Sequence, residues 1–474
     1  MESLLFSHRD PEDGSAFSSR RLDCNLGGLD TGASWLAETW EKFDQRSDRV
    51  RPRDGIQSLG FSPSMKQKHS IVVVLGLATA MVLAAPRTSL CVAEKAVAAA
   101  PDPVQVAIDH YRNLEHEAAR QQLEAWLADH PGDLRARNYL ASVILQQELF
   151  RRELLESQVY GPHGEAFDGK KVPVSPAFQQ ELFGVLNQAE SIAGDRLRQN
   201  PRDEEALYWA GVAHVTRAIY QLALAKANLA ALGEAKEARK CHSQLLSVNP
   251  NFVDALLVVG TYDYIVGSLP WYMKVLASLV GYRGNRQRGL AAIERVTREG
   301  HWARDDAKNF LAILYFREKR YPEARALLED LSRSYPRNYV FPQEIARTYK
   351  AQGDWASAAK VYDEILAKCE GGEPGFKSLP AAKIYYQAGE ARTHTGETPA
   401  ALERYDQAAK LPENDIYVYR AELAAAELCL KNQKPADALR KYQRVAKAIP
   451  ETDEGKAARQ KLKQLQESPA RRGS

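Results

Sequence analysis

Cysteine is scarce in this chain: five among 474 residues, at Cys24, Cys91, Cys241, Cys369 and Cys429. No two have CxxC spacing, which excludes a zinc ribbon and a thioredoxin-like redox motif. Cys429 falls at a helix-packing position, where a small buried hydrophobe is expected. Spacing leaves a single disulfide among the last three open. Charge of one sign is lacking as well. The net charge is +3, and residues 1–93 hold as many acids as bases, so losing them would not change it. Without a concentrated basic stripe, nucleic acid is excluded as the main ligand. The N-terminal apolar run at 71–85 is 15 residues long, short of the roughly 18–20 that a spanning helix needs.

Signatures of chemistry are missing too. The chain has no G-x-x-x-x-G-K-[ST] phosphate loop, no G-x-G-x-x-G after a strand, no G-x-S-x-G elbow and no H-E-x-x-H. His116-Glu117 comes nearest, but lacks the second histidine that would share a helical face with the first. Gly281, Gly284 and Gly289 lack the lysine and hydroxyl of a phosphate loop. The carboxylates Asp305 and Asp306 sit at a helix start, where the dipole favours them. His110, His214 and His242 fall at packing positions. No catalytic residue, metal ligand or cofactor site is therefore assigned, and a non-enzymatic protein is expected.

What is present begins at Met65. Residues 65–93 open with Lys66 and Lys68, continue through the apolar run and end in Cys91-Val92-Ala93. This is the three-part pattern of an export signal cleaved before Glu94, and it places the protein in the periplasm or cell envelope. Residues 1–64 are rich in Asp, Arg, Ser and Gly and show no sustained period. They are either an overextended reading frame ahead of a start at Met65 or a disordered leader.

From about residue 102 a period takes over. A small residue, an aromatic three or four on, a second alanine twelve after the first and a closing proline recur. Ala312, Tyr315, Ala324, Leu328 and Pro336 form the clearest unit. Ala346, Tyr349, Ala358 and Tyr362 follow; then Gly389, Ala401, Tyr405 and Ala408; then Ala426, Ala438, Tyr442 and Pro450. Successive second alanines are 34, 43 and 37 residues apart, and the breaker-rich 370–375 accounts for the 43. Looser units use Ala107, Ala119 and Pro131, then Ala141, Ala189 and Pro201, then Gly211, Ala238 and Pro250. The small residues let two helices approach while the aromatics fill the gap between them. These residues resemble the tetratricopeptide-repeat superfamily over about 103–467. The resemblance implies an all-α, right-handed superhelical solenoid whose first helices line a concave ligand groove. It divides into a divergent array at 102–300 with a loop at 157–176, and a regular array at 301–467. The polar helix 453–467 closes the second array as a solubilising cap, and 468–474 is a disordered tail.

Two central units are expanded. Gly211 to Ala238 spans 27 residues rather than twelve, and 206–232 stays apolar at helical spacing for about seven turns. Gly260 to Gly289 spans 29. Within it, Leu269-Pro270 and Gly284-Asn285-Arg286 make residues 264–289 similar to a signature of mitochondrial outer-membrane tetratricopeptide proteins of inclusion and lipid-droplet clearance. That similarity implies architecture only. In this stretch Pro270 starts a helix whose apolar stripe is Trp271, Leu276 and Leu279. Trp271, Tyr272, Leu276, Leu279, Tyr282, Arg283 and Arg286 would form a membrane-touching or docking surface, or else an extra packed helix.

The repeat register also projects a groove. Its lining reads Asp306, Asn309, Phe316 and Arg317, then Gln343, Arg347 and Lys350, then Lys383, Tyr386 and Glu390, then Arg420 and Glu427. Ile313 stands where the superfamily's carboxylate clamp has asparagine, which disfavours a chaperone tail. A protein or peptide held in the groove is expected, with a peripheral membrane or lipid-contacting role at 264–282 as the rival. The partner and the oligomeric state are not legible.

Overall fold

The computed structural model describes residues 102–156, 173–269, 274, 283–412 and 415–467. The expected segments 1–64 and 65–93, residues 157–172 of the expected loop and the tail 468–474 lie outside the described residues. Seventeen α-helices and no strand occur among those described. In chain order they are α1 (Pro103–Arg112), α2 (His116–Asp129), α3 (Leu134–Arg151), α4 (Pro176–Gln199), α5 (Glu204–Ala223) and α6 (Asn228–Val248). Then come α7 (Leu256–Ser268), α8 (Arg286–Glu299), α9 (Arg304–Arg317), α10 (Tyr321–Ser334), α11 (Val340–Gln352) and α12 (Trp355–Glu370). The last five are α13 (Ala381–His394), α14 (Thr398–Ala409), α15 (Ile416–Lys431), α16 (Pro435–Ala448) and α17 (Asp453–Glu467). All belong to one compact unit, Ser89–Ser474.

Each helix packs on the next, and α1 on α3, α3 on α5, α13 on α15 and α15 on α17 also touch. That is a superhelical solenoid, in which a unit buries its apolar face only against its neighbours. Local chemistry sets the boundaries. After the closing prolines Pro131 and Pro201 the next helix starts on a side-chain cap two residues later: Asp133 accepts from the Ala136 amide, and Asp203 from that of Ala206. The first helix of a unit ends with a left-handed residue. Leu114, Lys319, Gly353, Gly396 and Gln433 all have φ between 58° and 80°. In each case the next amide reaches back to a carbonyl in the last turn of the helix, as Arg320 does to Tyr315 (2.8 Å) and Asp354 to Tyr349 (3.0 Å). The spacings of Lys319, Gly353, Gly396 and Gln433 repeat those of the second alanines, because both mark the same turn.

Between paired helices the small residue is sterically required. A Cβ on Gly389 would lie 2.6 Å from the Tyr405 ring, and one on Gly211 would lie 2.3 Å from His242. Ala324, Ala358, Ala401 and Ala438 are fully buried at the matching second-helix position.

The apolar stretch 206–232 is carried by lengthened helices, as its spacing implies. The chain breaks after Ala223, Lys226 adopts φ +53°, and the Ala225 amide returns to the Tyr220 carbonyl. Two antiparallel helices of 20 and 21 residues result. In the second unit α7 and α8 meet along a glycine seam. Cβ atoms on Gly260, Gly267, Gly284 and Gly289 would all fall within 3.0 Å of backbone across the seam. Asn285 caps α8 through the Arg288 amide (2.9 Å), and Arg288 pairs with buried Asp263 (2.7 Å). Pro270 lies outside the described residues. Upstream, the anticipated loop at 157–176 ends earlier than its last residue. Ser175 caps α4 and Pro176 is its first residue, a position where the missing N–H costs nothing. Cys241, Cys369 and Cys429 are all free thiols, with Cys429 buried.

Candidate functional site

The first helices of the regular array, α9, α11, α13 and α15, set side chains on one another in a ladder. The Arg347 guanidinium stacks 3.7 Å from the Phe316 ring centroid, joining α11 to α9, and also pairs with Glu344 (2.8 Å). Lys350 reaches Glu390 (2.5 Å), joining α11 to α13. Tyr386 packs between Tyr405 and Tyr417, at 6.1 and 5.7 Å, which carries the ladder to α15. Arg420 covers the Tyr417 ring at 5.0 Å and binds Glu454 (2.9 Å) on α17, while Glu427 meets Lys461 (3.4 Å). Of the anticipated lining, Phe316, Arg347, Lys350, Tyr386, Glu390, Arg420 and Glu427 thus lie along one strip of aromatic and charged groups. Asp306, Asn309, Arg317, Arg420 and Glu427 are exposed.

Gln343 and Lys383 do not face an open groove as the register implied. Both are only 3% exposed. For Lys383 the reason is tertiary: the N-terminal segment that holds α1–α3 comes back over this part of the array, some 220 residues away in sequence. Arg337, in the turn between α10 and α11, donates to Glu115 (2.8 and 3.1 Å) and Asp109 (3.0 Å). Its backbone amide donates to Asn113 (3.0 Å). Asn338 caps α11 through the Val340 amide and donates from Nδ2 to the Arg112 carbonyl (2.8 Å). Arg112 answers with Asp306 (3.2 Å). Lys383 bonds Glu156 (2.5 Å) and Glu153 (3.4 Å), both in the turn that follows α3. Phe150 on α3 packs edge-on to Tyr339 at 6.2 Å. Gly375 holds the Arg337 turn from behind: its φ is +83°, and a Cβ there would strike the Arg337 carbonyl at 1.8 Å.

Charge states follow from these contacts. Burial would discharge Lys383, but Glu156, Tyr417 and Glu153 hold its pKa above the ordinary lysine value. For Glu115, burial pushes the pKa up, and hydrogen bonds from His110 and Arg337 more than reverse it, leaving it low. Between the returning helices and α9–α11 lies a cavity of about 130 Å³, lined by Tyr111, Arg112 and Leu155 on one side and Asn309, Phe316 and Arg347 on the other. Its lining holds no nucleophile with a base beside it, and no cluster of three metal-ligating side chains occurs among the described residues.

Arg337, Asn338, Arg112 and Glu156 escape a repeat-register reading. The one signal is Asn338 itself. It stands two residues after Pro336, where the slots after Pro131 and Pro201 hold Asp133 and Asp203. Aspartate caps equally well, but only asparagine can cap and donate at once. Of the second anticipated surface, Trp271, Tyr272, Leu276, Leu279 and Tyr282 lie outside the described residues. Arg283 is exposed, and Arg286 binds Glu318 (2.6 Å).

Residues 275–339 and 344–416 match the family model described as tetratricopeptide repeat. No curated protein matches the chain. Among solved structures it is similar to the Cut9–Hcn1 hetero-tetramer of the APC/C, at 14% identity and a TM-score of 0.41. That match covers 76% of this chain and spans only 55% of the other. It is also similar to yeast Tom70, at 13% identity and a TM-score of 0.34, covering 78% of this chain and 90% of that one. A thermophilic TPR protein of Thermus thermophilus, TTC0263, matches at 16% identity with a TM-score of 0.30, covering 52% of this chain and 96% of that one.

Proposed function

We propose that this chain, whose residues 275–339 and 344–416 match the tetratricopeptide-repeat model, is a non-enzymatic scaffold holding a protein or peptide partner along the first helices of its C-terminal array. The observation that carries this reading is the continuous strip from Phe316 to Glu427, in which aromatic faces alternate with charged groups across four successive first helices. A strip of this kind suits an extended or helical peptide, since it offers stacking surfaces for side chains and charges for register. In-cell crosslinking followed by purification would identify what co-elutes. Arg347→Glu with Lys350→Glu is expected to weaken capture of that protein while helicity by circular dichroism stays intact. Unchanged capture would sink the strip as the site.

The scaffold works in this reading as an exported protein of the cell envelope, a proposal supported by the signal pattern at 65–93. Sequencing the N-terminus of the native protein should find Glu94 first. A chain beginning at Met1 would overturn the export reading.

A peripheral membrane role is the second reading. Among the described residues, Ile219, Leu229, Leu232 and Ile265 are the large hydrophobic side chains that stand exposed, all on α5–α7, with Leu232 at 60%. No described helix is long and apolar enough to cross a membrane, so any contact would be a surface one. In a liposome flotation assay, absence of lipid association, or none lost on Leu232→Asp, would dismiss it.

A further inference from the structure

The return of α1–α3 over the array combines a few apolar contacts, Leu114 and Phe150 against the cluster around Tyr339 and Val340, with a set of ion pairs. None of these three helices packs along its length on a helix of α9–α13. Two cations of the C-terminal array receive four carboxylates from the N-terminal helices and the turns that flank them: Arg337 takes Asp109 and Glu115, and Lys383 takes Glu153 and Glu156. The Lys383 side chain is 4% exposed and Glu156 7%. A buried ammonium tolerates desolvation only with its partner in place, so this lysine is placed for an acidic occupant. Such polar, charge-paired contacts between parts of one chain resemble transient interfaces rather than a core.

We propose that Arg337 and Lys383 form a receptor site for an acidic polypeptide segment, filled in this structure by the chain's own N-terminal helices and open to an acidic partner once they lift away. The occupant is fixed by charge complementarity. The reversed pair Arg112–Asp306 and the Asn338 bond to the Arg112 carbonyl set the register of the internal one. This inference deepens the scaffold reading and rests on it, but uses residues that the charge-reversal test of that reading leaves untouched.

The probe is fluorescent hexaglutamate, titrated by anisotropy into the full chain at low salt. Wild type should bind it weakly, because the internal segment competes. Glu115→Gln with Glu156→Gln should tighten binding by about tenfold or more, the effect of losing charge-assisted hydrogen bonds from the competitor. Adding Arg337→Gln should return binding to the wild-type level. No gain in the double variant, or a gain that survives Arg337→Gln, overturns the site. Because a buried pair is altered, a second measurement uses the unmodified protein. In hydrogen exchange, raising salt to about 1 M, where the Debye length is about 3 Å, should deprotect 113–115 and 335–340 together while α14–α16 stay protected. Protection unchanged at both turns also overturns the proposal. In either case the scaffold reading is judged separately, by partner capture with Arg347→Glu and Lys350→Glu.

Discussion

His242 is a single residue with a measurable consequence. It is 1% exposed, lies flat on the Tyr208 ring and donates from Nε2 to the Tyr208 carbonyl at 3.1 Å. Burial pulls its pKa down to about 4, only partly offset by that bond. The folded protein therefore keeps the ring neutral while the unfolded chain, with an ordinary histidine value, takes up a proton. This site contributes its full stability above the unfolded pKa, and the contribution is lost as pH falls from about 6.5 toward 4. Urea denaturation at pH 7 and at pH 4.5 should differ by about 2–3 kcal/mol from this group. His242→Leu should flatten that part of the profile, and an unchanged slope would show that other groups set it. The residue was legible as a packing histidine because it is four residues after Ala238. Its stacking on Tyr208 and the need for Gly211 beneath it were not, since they depend on how closely α5 and α6 approach.

The turn residues and the glycine seam set the geometry of whole elements. Gly353 has φ +79° and open space around its Cβ direction. Gly353→Ala should therefore cost about 1 kcal/mol through backbone strain alone. Gln433 occupies the same place in a later unit at φ +58°. Gln433→Gly should stabilise by a few tenths to about 1 kcal/mol. Thermal melts of the two variants should move in opposite directions, and a shared direction would refute the strain account. The seam behaves differently. A Cβ on Gly289 would sit 2.4 Å from the Tyr264 amide nitrogen, backbone that cannot rotate aside. Gly289→Ala should cost about 1–3 kcal/mol through overpacking, seen as a lower denaturation midpoint. Helices themselves were readable from the 34-residue period. The break at 224–227 was not, because Leu224 to Ala227 offers neither glycine nor proline, and the chain turns there only because α6 must fold back onto α5.

At the scale of the whole molecule, a solenoid has two ends, and this one treats them differently. The C-terminal end is closed by α17, where Leu462 and Leu465 pack on the cluster around Tyr442 and Val445. Ending the chain before Asp453 would expose that cluster and remove the Arg420–Glu454 and Glu427–Lys461 pairs. Such a truncation should lower the melting temperature by several degrees and promote self-association in sedimentation, as repeat arrays without caps do. A truncated chain that stays as stable and as dispersed would show that α17 is no cap. The N-terminal end is closed by the array itself, through Arg337, Asn338 and Lys383. By itself the sequence determined the helix class, the repeat period, the small-to-aromatic pairs and the polar closing helix, because each is set by neighbours within about 40 residues. It also placed Phe316, Arg347, Tyr386 and Arg420 on one face, since a constant period brings equivalent positions into line. Only the tertiary structure decided that Lys383 and Gln343 are buried and that Asp109, Glu115 and Glu156 meet two cations over 220 residues away. Small rotations between successive helices add up over the superhelical turn, and no local pattern records their sum.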